Sequence, residues 1–287
     1  MSERQKYAIG KPYTVIAHHA DHQSFNRMHS DGLPQKLGFR GAFVLGVANY
    51  GNMTRALVSH FGEEWLSRAV IEAKFMKPVC EGDRLRIETF PVPGREKEHV
   101  FEVMAYNETT DGEIAARMQT SRPELFPPID EHANVQPNEW QGPVTQRRTW
   151  DTVIVGNAYR SLRLTLSSED NAHWKQVLED DLPIYEQGER PPLHPAHVLR
   201  LVQLGYNNQF IGDNAVHGGS KAIIRSMLRI GDPVHILTVP VAKWDKKQNH
   251  WLTIYCAVRR DDEVCAEVYH TQIIKLRGAE NYMTEKA

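Results

Sequence analysis

The feature of this sequence that most limits its fold is an internal repeat. Residues 99–120 and 250–270 both predict a strand, a polar turn and a second strand, and they align when one is shifted by 150 positions. Residues 81–87 and 230–236 align at an offset of 149, each with a Gly-Asp pair before an alternating strand. Apolar and polar residues alternate in these strands, as expected for antiparallel strands with one buried face. The chain therefore contains two similar units.

Each unit also contains one long apolar segment that precedes most of its strands. In the first unit this segment runs from Gly41 to Leu57, and in the second it covers residues 197–204, after Pro192 and Pro195. Proline is accepted in the first turn of a helix, because the N–H groups of that turn have no partner within the helix. The apolar composition predicts that both helices are buried. We expect an α+β fold in which each unit wraps an antiparallel sheet around one central helix.

A segment rich in proline and polar residues separates the two units. It runs from Arg122 to Pro143 and has no apolar periodicity. We therefore place an N-terminal domain at residues 1–121, a linker at 122–148 and a C-terminal domain at 149–287. Two similar sets of strands are expected to pair edge to edge, which removes an exposed sheet edge. The alternative is a chance similarity between two regions of alternating strands.

Composition excludes several classes of protein. The 287 residues include 34 Lys and Arg and 36 Asp and Glu, giving a net charge of −2, whereas nucleic-acid-binding proteins usually present a basic face. Mean hydropathy is −0.51, and no apolar run approaches the roughly 20 residues that span a bilayer. The N-terminal segment lacks the apolar core of a signal peptide. We expect a cytoplasmic protein that binds neither nucleic acid nor membrane.

No motif indicates a cofactor or a metal ion. The sequence contains no GxGxxG or GxxxxGK[ST] phosphate loop and no GxSxG nucleophile motif. His18, His19 and His22 are close in sequence but have no cysteine or carboxylate partner at ligand-like spacing, so we do not expect a metal site. The three cysteines lie in apolar strand-like segments and are predicted to be buried, reduced thiols: Cys80, Cys256 and Cys265.

One motif carries a resemblance to a known family. Residues 24–31 read Ser-Phe-Asn-Arg-Met-His-Ser-Asp, and residues 38–46 read Gly-Phe-Arg-Gly-Ala-Phe-Val-Leu-Gly. This resembles the MaoC-like dehydratases, or R-specific enoyl-CoA hydratases, of the hotdog-fold superfamily. Their signature is Asp-x-Asn-Pro-x-His-x-Asp, then Gly-Phe, then His-Gly at the start of the central helix. The resemblance covers residues 10–120 and, more weakly, 155–277, which implies a double hotdog: two hotdog domains in tandem.

The resemblance also implies a site in the first unit. Asn26, His29 and Asp31 occupy the positions of the family's Asn, His and second Asp, and Gly46 matches the glycine of the His-Gly pair. It implies that His29 acts as acid and base, that Asn26 positions the water or His29, and that the Gly46 N–H holds the thioester oxygen. Asp31 is a candidate catalytic residue, although an aspartate ahead of a helix also fits an N-cap. Leu45 and Tyr50 complete the predicted substrate-binding residues.

This sequence departs from the family's signature at three positions. Ser24 replaces the catalytic Asp, Arg27 replaces the Pro, and Leu45 replaces the His of the His-Gly pair. A missing general base typically costs about 10²–10⁴-fold in rate, and Ser24 can hydrogen-bond a water but cannot act as a base at neutral pH. In the second unit, residues 180–185 keep the Asp, as Asp180, and carry Tyr in place of the His.

The resemblance implies an enzyme that adds water to, or removes it from, a trans-2-enoyl thioester. Its substrate would be an acyl thioester of CoA or of a carrier protein, with CoA as part of the substrate and no separate cofactor. A hotdog thioesterase is one alternative, because hydrolysis of the thioester does not require the hydratase Asp. A non-catalytic acyl-thioester-binding protein is another. We expect a homodimer or a larger homo-oligomer.

Overall fold

A computed structural model describes residues 7–20, 26–30, 32–140, 142–210 and 215–278. Ten antiparallel strands within this part of the chain form one sheet. The strands of the first unit are β1 Tyr13–Ile16, β2 Ala69–Phe75, β3 Arg84–Pro91, β4 Phe101–Asn107 and β5 Glu113–Ser121. Those of the second unit are β6 Leu162–Thr165, β7 Val216–Ile224, β8 Pro233–Lys246, β9 Asn249–Arg260 and β10 Glu263–Lys275.

The helices also fall into two sets. The first unit contains α1 Leu33–Lys36, α2 Gly46–Phe61 and α3 Glu63–Ser67, and the second contains α4 Ser168–Leu178 and α5 Pro195–Asn207. Short 3-10 helices lie at Arg27–His29, Glu96–Glu98, Glu108–Thr110, Glu131–Asn134 and Pro183–Tyr185. No helix in the described ranges is both long and apolar enough to cross a membrane.

The sheet repeats itself about its centre. Its strand order is β1-β3-β4-β5-β2-β7-β10-β9-β8-β6. Counted inward from the two edges, each strand of the first unit has the equivalent strand of the second unit at the same position: β1 and β6, β3 and β8, β4 and β9, β5 and β10, and β2 and β7. At the centre β2 and β7 pair antiparallel, from Ala69 opposite Ile224 to Lys74 opposite Gly219. Two units that pair edge to edge were predicted from the repeat, and the strand order confirms this arrangement.

The two Gly-Asp pairs found in the sequence form equivalent turns. Gly82 and Gly231 have φ angles of +79° and +89°, which glycine adopts at little cost because it has no Cβ. The following aspartates, Asp83 and Asp232, are both 2% exposed. Each accepts a backbone hydrogen bond from the residue three positions before it, at 2.9 Å, and each pairs with an arginine. The two units therefore share the hydrogen bond and the ion pair of this turn as well as the order of their strands.

Both predicted central helices are buried. Every residue of α2 from Gly46 to Val58 is buried, and α2 and α5 pack against each other and against the sheet. Burying a large apolar side chain contributes roughly 1.5–3 kcal/mol, so this pair of helices accounts for a large part of the core. The three cysteines are buried and free, as predicted.

The linker packs against the second unit. Asp130 N donates to Glu267 Oε1 at 2.9 Å, and the buried Ala133 packs in a cluster with Tyr255, Ala257 and Val264. The linker therefore follows β9 and β10 before the chain enters β6.

Candidate functional site

A cavity of about 290 Å³ lies where the first unit meets β7. Its walls come from both units and are mostly apolar or aromatic, with a few polar groups, a composition typical of small-molecule sites. The lining residues are His29, Phe39, Phe43, Val44, Gly46, Asn49, Phe75, Met76, Lys77, Pro78, Val79, Val216, His217, Gly218, Trp251, Ile273 and Leu276.

Backbone contacts fix the orientation of His29 at this cavity. The residue ends the 3-10 helix Arg27–His29, and its Nδ1 lies 2.7 Å from the carbonyl oxygen of Phe43. A carbonyl oxygen only accepts hydrogen bonds, so Nδ1 carries a proton, and in the neutral ring Nε2 keeps a lone pair. This tautomer leaves Nε2 able to accept a proton, as a general base must.

Asn26 holds this short helix against the second unit. Its Oδ1 accepts from the Met28 N–H at 3.0 Å and caps the helix, while its Nδ2 donates to the Ala215 carbonyl at 2.7 Å. The two bonds use opposite ends of one amide, so the segment that carries His29 is tied to the chain just before β7.

The start of α2 forms the second element of the site. Leu45 is the N-cap residue and Gly46 is the first helical residue. The N–H groups of a first helical turn have no partner within the helix, and the helix dipole places positive charge there. Gly46 leaves room for a neighbouring ring, because a β-carbon built on it would lie 2.8 Å from Cγ of His217 and closer still to Nδ1.

Three lining residues carry a buried polar atom with no hydrogen-bond partner. These atoms are Asn49 Oδ1, His217 Nδ1 and Trp251 Nε1. Most buried polar groups in proteins are paired, and exceptions often mark a functional site or a bound group. The three atoms come from α2, β7 and β9, so polar groups from both units are available to a ligand in this cavity.

His217 belongs to a chain of polar side chains in the second unit. Its Nε2 lies 2.8 Å from Ser220 Oγ, which lies 3.3 Å from His270 Nδ1. Burial lowers the pKa of His217 to about 3; a contact with the Gly219 backbone acts in the opposite direction, and a positive charge on protonated His29 acts in the same direction as burial. Burial also lowers the pKa of His270 well below its usual value. Both imidazoles are therefore neutral at pH 7.

The equivalent cavity of the second unit is almost closed. Six residues of the open cavity have a counterpart 149 positions later that lines this second cavity. The pairs are Val44 and Leu193, Gly46 and Pro195, Asn49 and Val198, Phe75 and Ile224, Lys77 and Ser226, and Val79 and Leu228. Its volume is about 20 Å³, room for about one water. Pro195 has no N–H to offer a ligand, and Val198 replaces the amide of Asn49. Only the first of these two equivalent cavities is open to a substrate.

The second copy of the motif is a buried charged cluster. Asp180 Oδ2 lies 3.3 Å from His194 Nε2 and 3.7 Å from Arg55 Nε, and all three side chains are at most 4% exposed. Burial opposes ionisation of Asp180, but the hydrogen bond with His194 and the positive charge of Arg55 hold its pKa below the usual value. Tyr185, in the position that His29 has in the first unit, packs against His194. The described residues that line the open cavity do not include Asp180.

The other predicted site residues lie in different places. Ser24 and Asp31 are outside the described residues. Leu45 is 4% exposed and caps α2. Tyr50 lines the small second cavity together with Trp65, so the structure does not bring it together with His29.

The sequence predictions did not include His217, Asn49 or Trp251. One available signal was the Gly218-Gly219 pair directly after His217, because consecutive glycines in a strand often mark a close approach of another chain segment. A β-carbon on Gly218 would lie 2.6 Å from the Trp251 ring, and one on Gly219 would lie 2.6 Å from the Ala73 carbonyl. This signal points to tight packing, but it does not identify the first-unit residues that face His217.

Comparison with solved structures identifies the fold. A MaoC domain dehydratase from Chloroflexus aurantiacus is 14% identical, with a TM-score of 0.61 over 94% of this chain and 96% of its own. A conserved Mycobacterium tuberculosis protein described as having a double hotdog fold is 11% identical, with a TM-score of 0.62 over 93% and 96%. A thioesterase II from Thermobifida fusca is 12% identical, with a TM-score of 0.50 over 94% of both chains.

Neither a family model nor a curated protein sequence matches the chain. At these identities the structural likeness establishes the fold alone, and structures with this fold include both dehydratases and thioesterases. The resemblance to MaoC-like dehydratases that residues 24–46 carry is confirmed at that level. The chain is therefore a double hotdog protein of the α+β class.

Proposed function

We propose that this protein is an enzyme that reversibly adds water to the double bond of a trans-2-enoyl thioester. The observation that carries the proposal is the meeting of His29 with the start of α2 in a cavity that is open in one unit and closed in the other. The cavity volume, about 290 Å³, is at the low end of the roughly 300–1,000 Å³ of ligand pockets. We therefore expect acyl chains of short or medium length.

The chemistry assigns one role to each group. The thioester oxygen lies at the first turn of α2, where the Gly46 N–H stabilises the negative charge of the enolate. His29 Nε2 takes a proton from water as the water oxygen bonds to C3, and the resulting imidazolium returns a proton to C2. The sum of the two steps is the addition of one water. Asn26 positions His29 by capping its helix, and Ser24 and Asp31 remain proposed members of the same site.

Several wider features remain predictions. They are a CoA or carrier-protein thioester as substrate, no separate cofactor, a homodimer or larger assembly, and a cytoplasmic location. Residues from both units of the chain line the cavity that we propose for the acyl thioester.

The proposal is tested by incubating the purified protein with crotonyl-CoA and with trans-2-octenoyl-CoA. Enoyl absorbance and free thiol are followed together. Loss of absorbance without thiol release supports the hydratase. Thiol release identifies a thioesterase instead, and thermal stabilisation by the ligand without turnover identifies a binding protein; either result overturns the proposal.

Gly46→Ala is expected to lower turnover by about 10²–10³-fold, the loss typical of a disrupted oxyanion site. The added methyl group would displace the His217 ring, whose Cγ lies 2.8 Å from the position of the new β-carbon. Hydratase kinetics with crotonyl-CoA measure the effect. The matched control is Gly41→Ala, whose β-carbon would lie 3.9 Å from Cys80 Sγ, an ordinary contact. Equal activity of the two variants would contradict the role of the α2 start.

A further inference from the structure

We propose that His217, from the second unit, is a further catalytic residue of this site, donating a hydrogen bond from Nδ1–H to the thioester oxygen beside the first turn of α2. The inference rests on the proposed function and deepens it. Ser220 and His270 are then positioning residues, which act through His217.

The His217 ring lies against the start of α2. His217 lines the cavity together with His29, and its ring fills the space above Gly46 that a side chain would occupy. The ring also packs against Phe75 of β2, with 4.6 Å between ring centroids. The ring is therefore held between β2 and Gly46, the first residue of the helix whose N–H groups would bind the thioester oxygen.

The two ring nitrogens of His217 differ in their hydrogen bonding. Nδ1 of His217 is buried and has no hydrogen-bond partner, whereas Nε2 of the same ring is bonded to Ser220. Asn49, which is 6% exposed and also lines the cavity, has an unpartnered Oδ1. A ligand with one acceptor and a neighbouring bound water would satisfy both atoms. A purely structural histidine would be expected to use both ring nitrogens.

The polar chain of His217, Ser220 and His270 allows two arrangements of protons, and one of them makes Nδ1 of His217 a donor. If His270 Nδ1–H donates to Ser220 Oγ, the Ser220 hydroxyl proton is directed to His217 Nε2, and Nδ1 must carry the ring proton. The opposite direction would place the Nδ1 lone pair against the substrate oxygen, which is repulsive. The first arrangement therefore matches a ligand oxygen that also accepts from the helix N–H groups.

The charge state fits a donor rather than a proton-transfer group. Burial is the main cause that lowers the pKa of His217 to about 3. A neutral imidazole with a lowered pKa can polarise a carbonyl without giving up its proton, as the neutral histidine of triosephosphate isomerase does. His29 and His217 thus have different roles: one transfers protons and the other binds the oxygen.

The test compares two substitutions that differ in where they place an N–H donor. The amide of Asn lies at the position of Nδ1, and the amide of Gln lies at that of Nε2. His217→Gln is expected to lower kcat by about 10²–10³-fold with little change in KM, and His217→Asn is expected to recover most of that loss. Equal loss in both variants, or a change confined to KM, would overturn the inference. Thermal unfolding of both variants confirms that each is folded.

A second measurement does not depend on turnover. The probe is the ketone analogue of hexanoyl-CoA in which a methylene replaces the sulfur, labelled with ¹³C at the carbonyl. Its infrared carbonyl stretch is expected at lower frequency on the wild-type protein than on His217→Gln, with His217→Asn close to wild type. Binding with the same frequency in all three would overturn the role of His217 and leave the proposed function standing. Absence of binding to the wild type would overturn both.

Discussion

Replacing His29 by alanine is expected to lower the hydration rate of an enoyl thioester by about 10²–10⁴-fold, the usual contribution of a general acid–base group. The effect should be large because no second proton acceptor is in place among the described lining residues. His217 is neutral and resists protonation, with a pKa of about 3, and Lys77 pairs with Glu113 at 3.3 Å. The measurement is steady-state kinetics with crotonyl-CoA.

The matched control is another histidine of the same region. His60 is exposed in the last turn of α2, at the opposite end from Gly46. His60→Ala is therefore expected to keep wild-type turnover. If His29→Ala retained activity within a few-fold of this control, His29 would not be the acid–base group.

The second large effect concerns stability. Asp180→Asn is expected to lower the free energy of unfolding by about 3–5 kcal/mol, because it leaves the buried guanidinium of Arg55 without its counter-charge. Arg55 is 3% exposed and lies on α2, while Asp180 follows α4 in the second unit. Loss of the pair therefore weakens the contact between the units. Thermal or urea unfolding measures the change, at about 2–4 °C per kcal/mol.

Asp181→Asn is the matched control for this variant. Asp181 is exposed and its Oδ1 accepts a hydrogen bond from the Tyr7 hydroxyl at 2.8 Å, which an Asn side chain also accepts. Its effect on stability is expected to stay below about 1 kcal/mol. Below its melting temperature, Asp180→Asn should keep most of its turnover. A variant that lost turnover but not stability would show instead that Asp180 serves the active cavity across the unit boundary.

The repeat and the central helices were predictable from the sequence because they depend on local patterns. Alternating strands, the Gly-Asp turns and the apolar helix segments each follow from residues close in the chain. Edge-to-edge pairing followed from having two similar strand sets. The resemblance of residues 24–46 to the family's motif placed Gly46 at a helix start and His29 near it.

Contacts between the units were not predictable in the same way. That His217 lies over Gly46 depends on the register of β2 against β7, and these strands are far apart in the chain. Tyr50 shows the same limit within one helix. Asn49 and Tyr50 are about 100° apart around α2, so one lines the open cavity and the other the closed one. Because α2 is buried on every side, its sequence did not indicate which of its residues would line the open cavity.

The pairing of β2 with β7 has a consequence for how the site responds to dilution. Groups that a one-unit protein would recruit from a second molecule belong here to the same chain, as the joint lining by His29 and His217 illustrates. A covalent link keeps the two partners at a high effective concentration, of the order of millimolar for a short flexible linker. Assembly of this cavity is therefore a first-order event, and its completeness should not depend on how much of the protein is present.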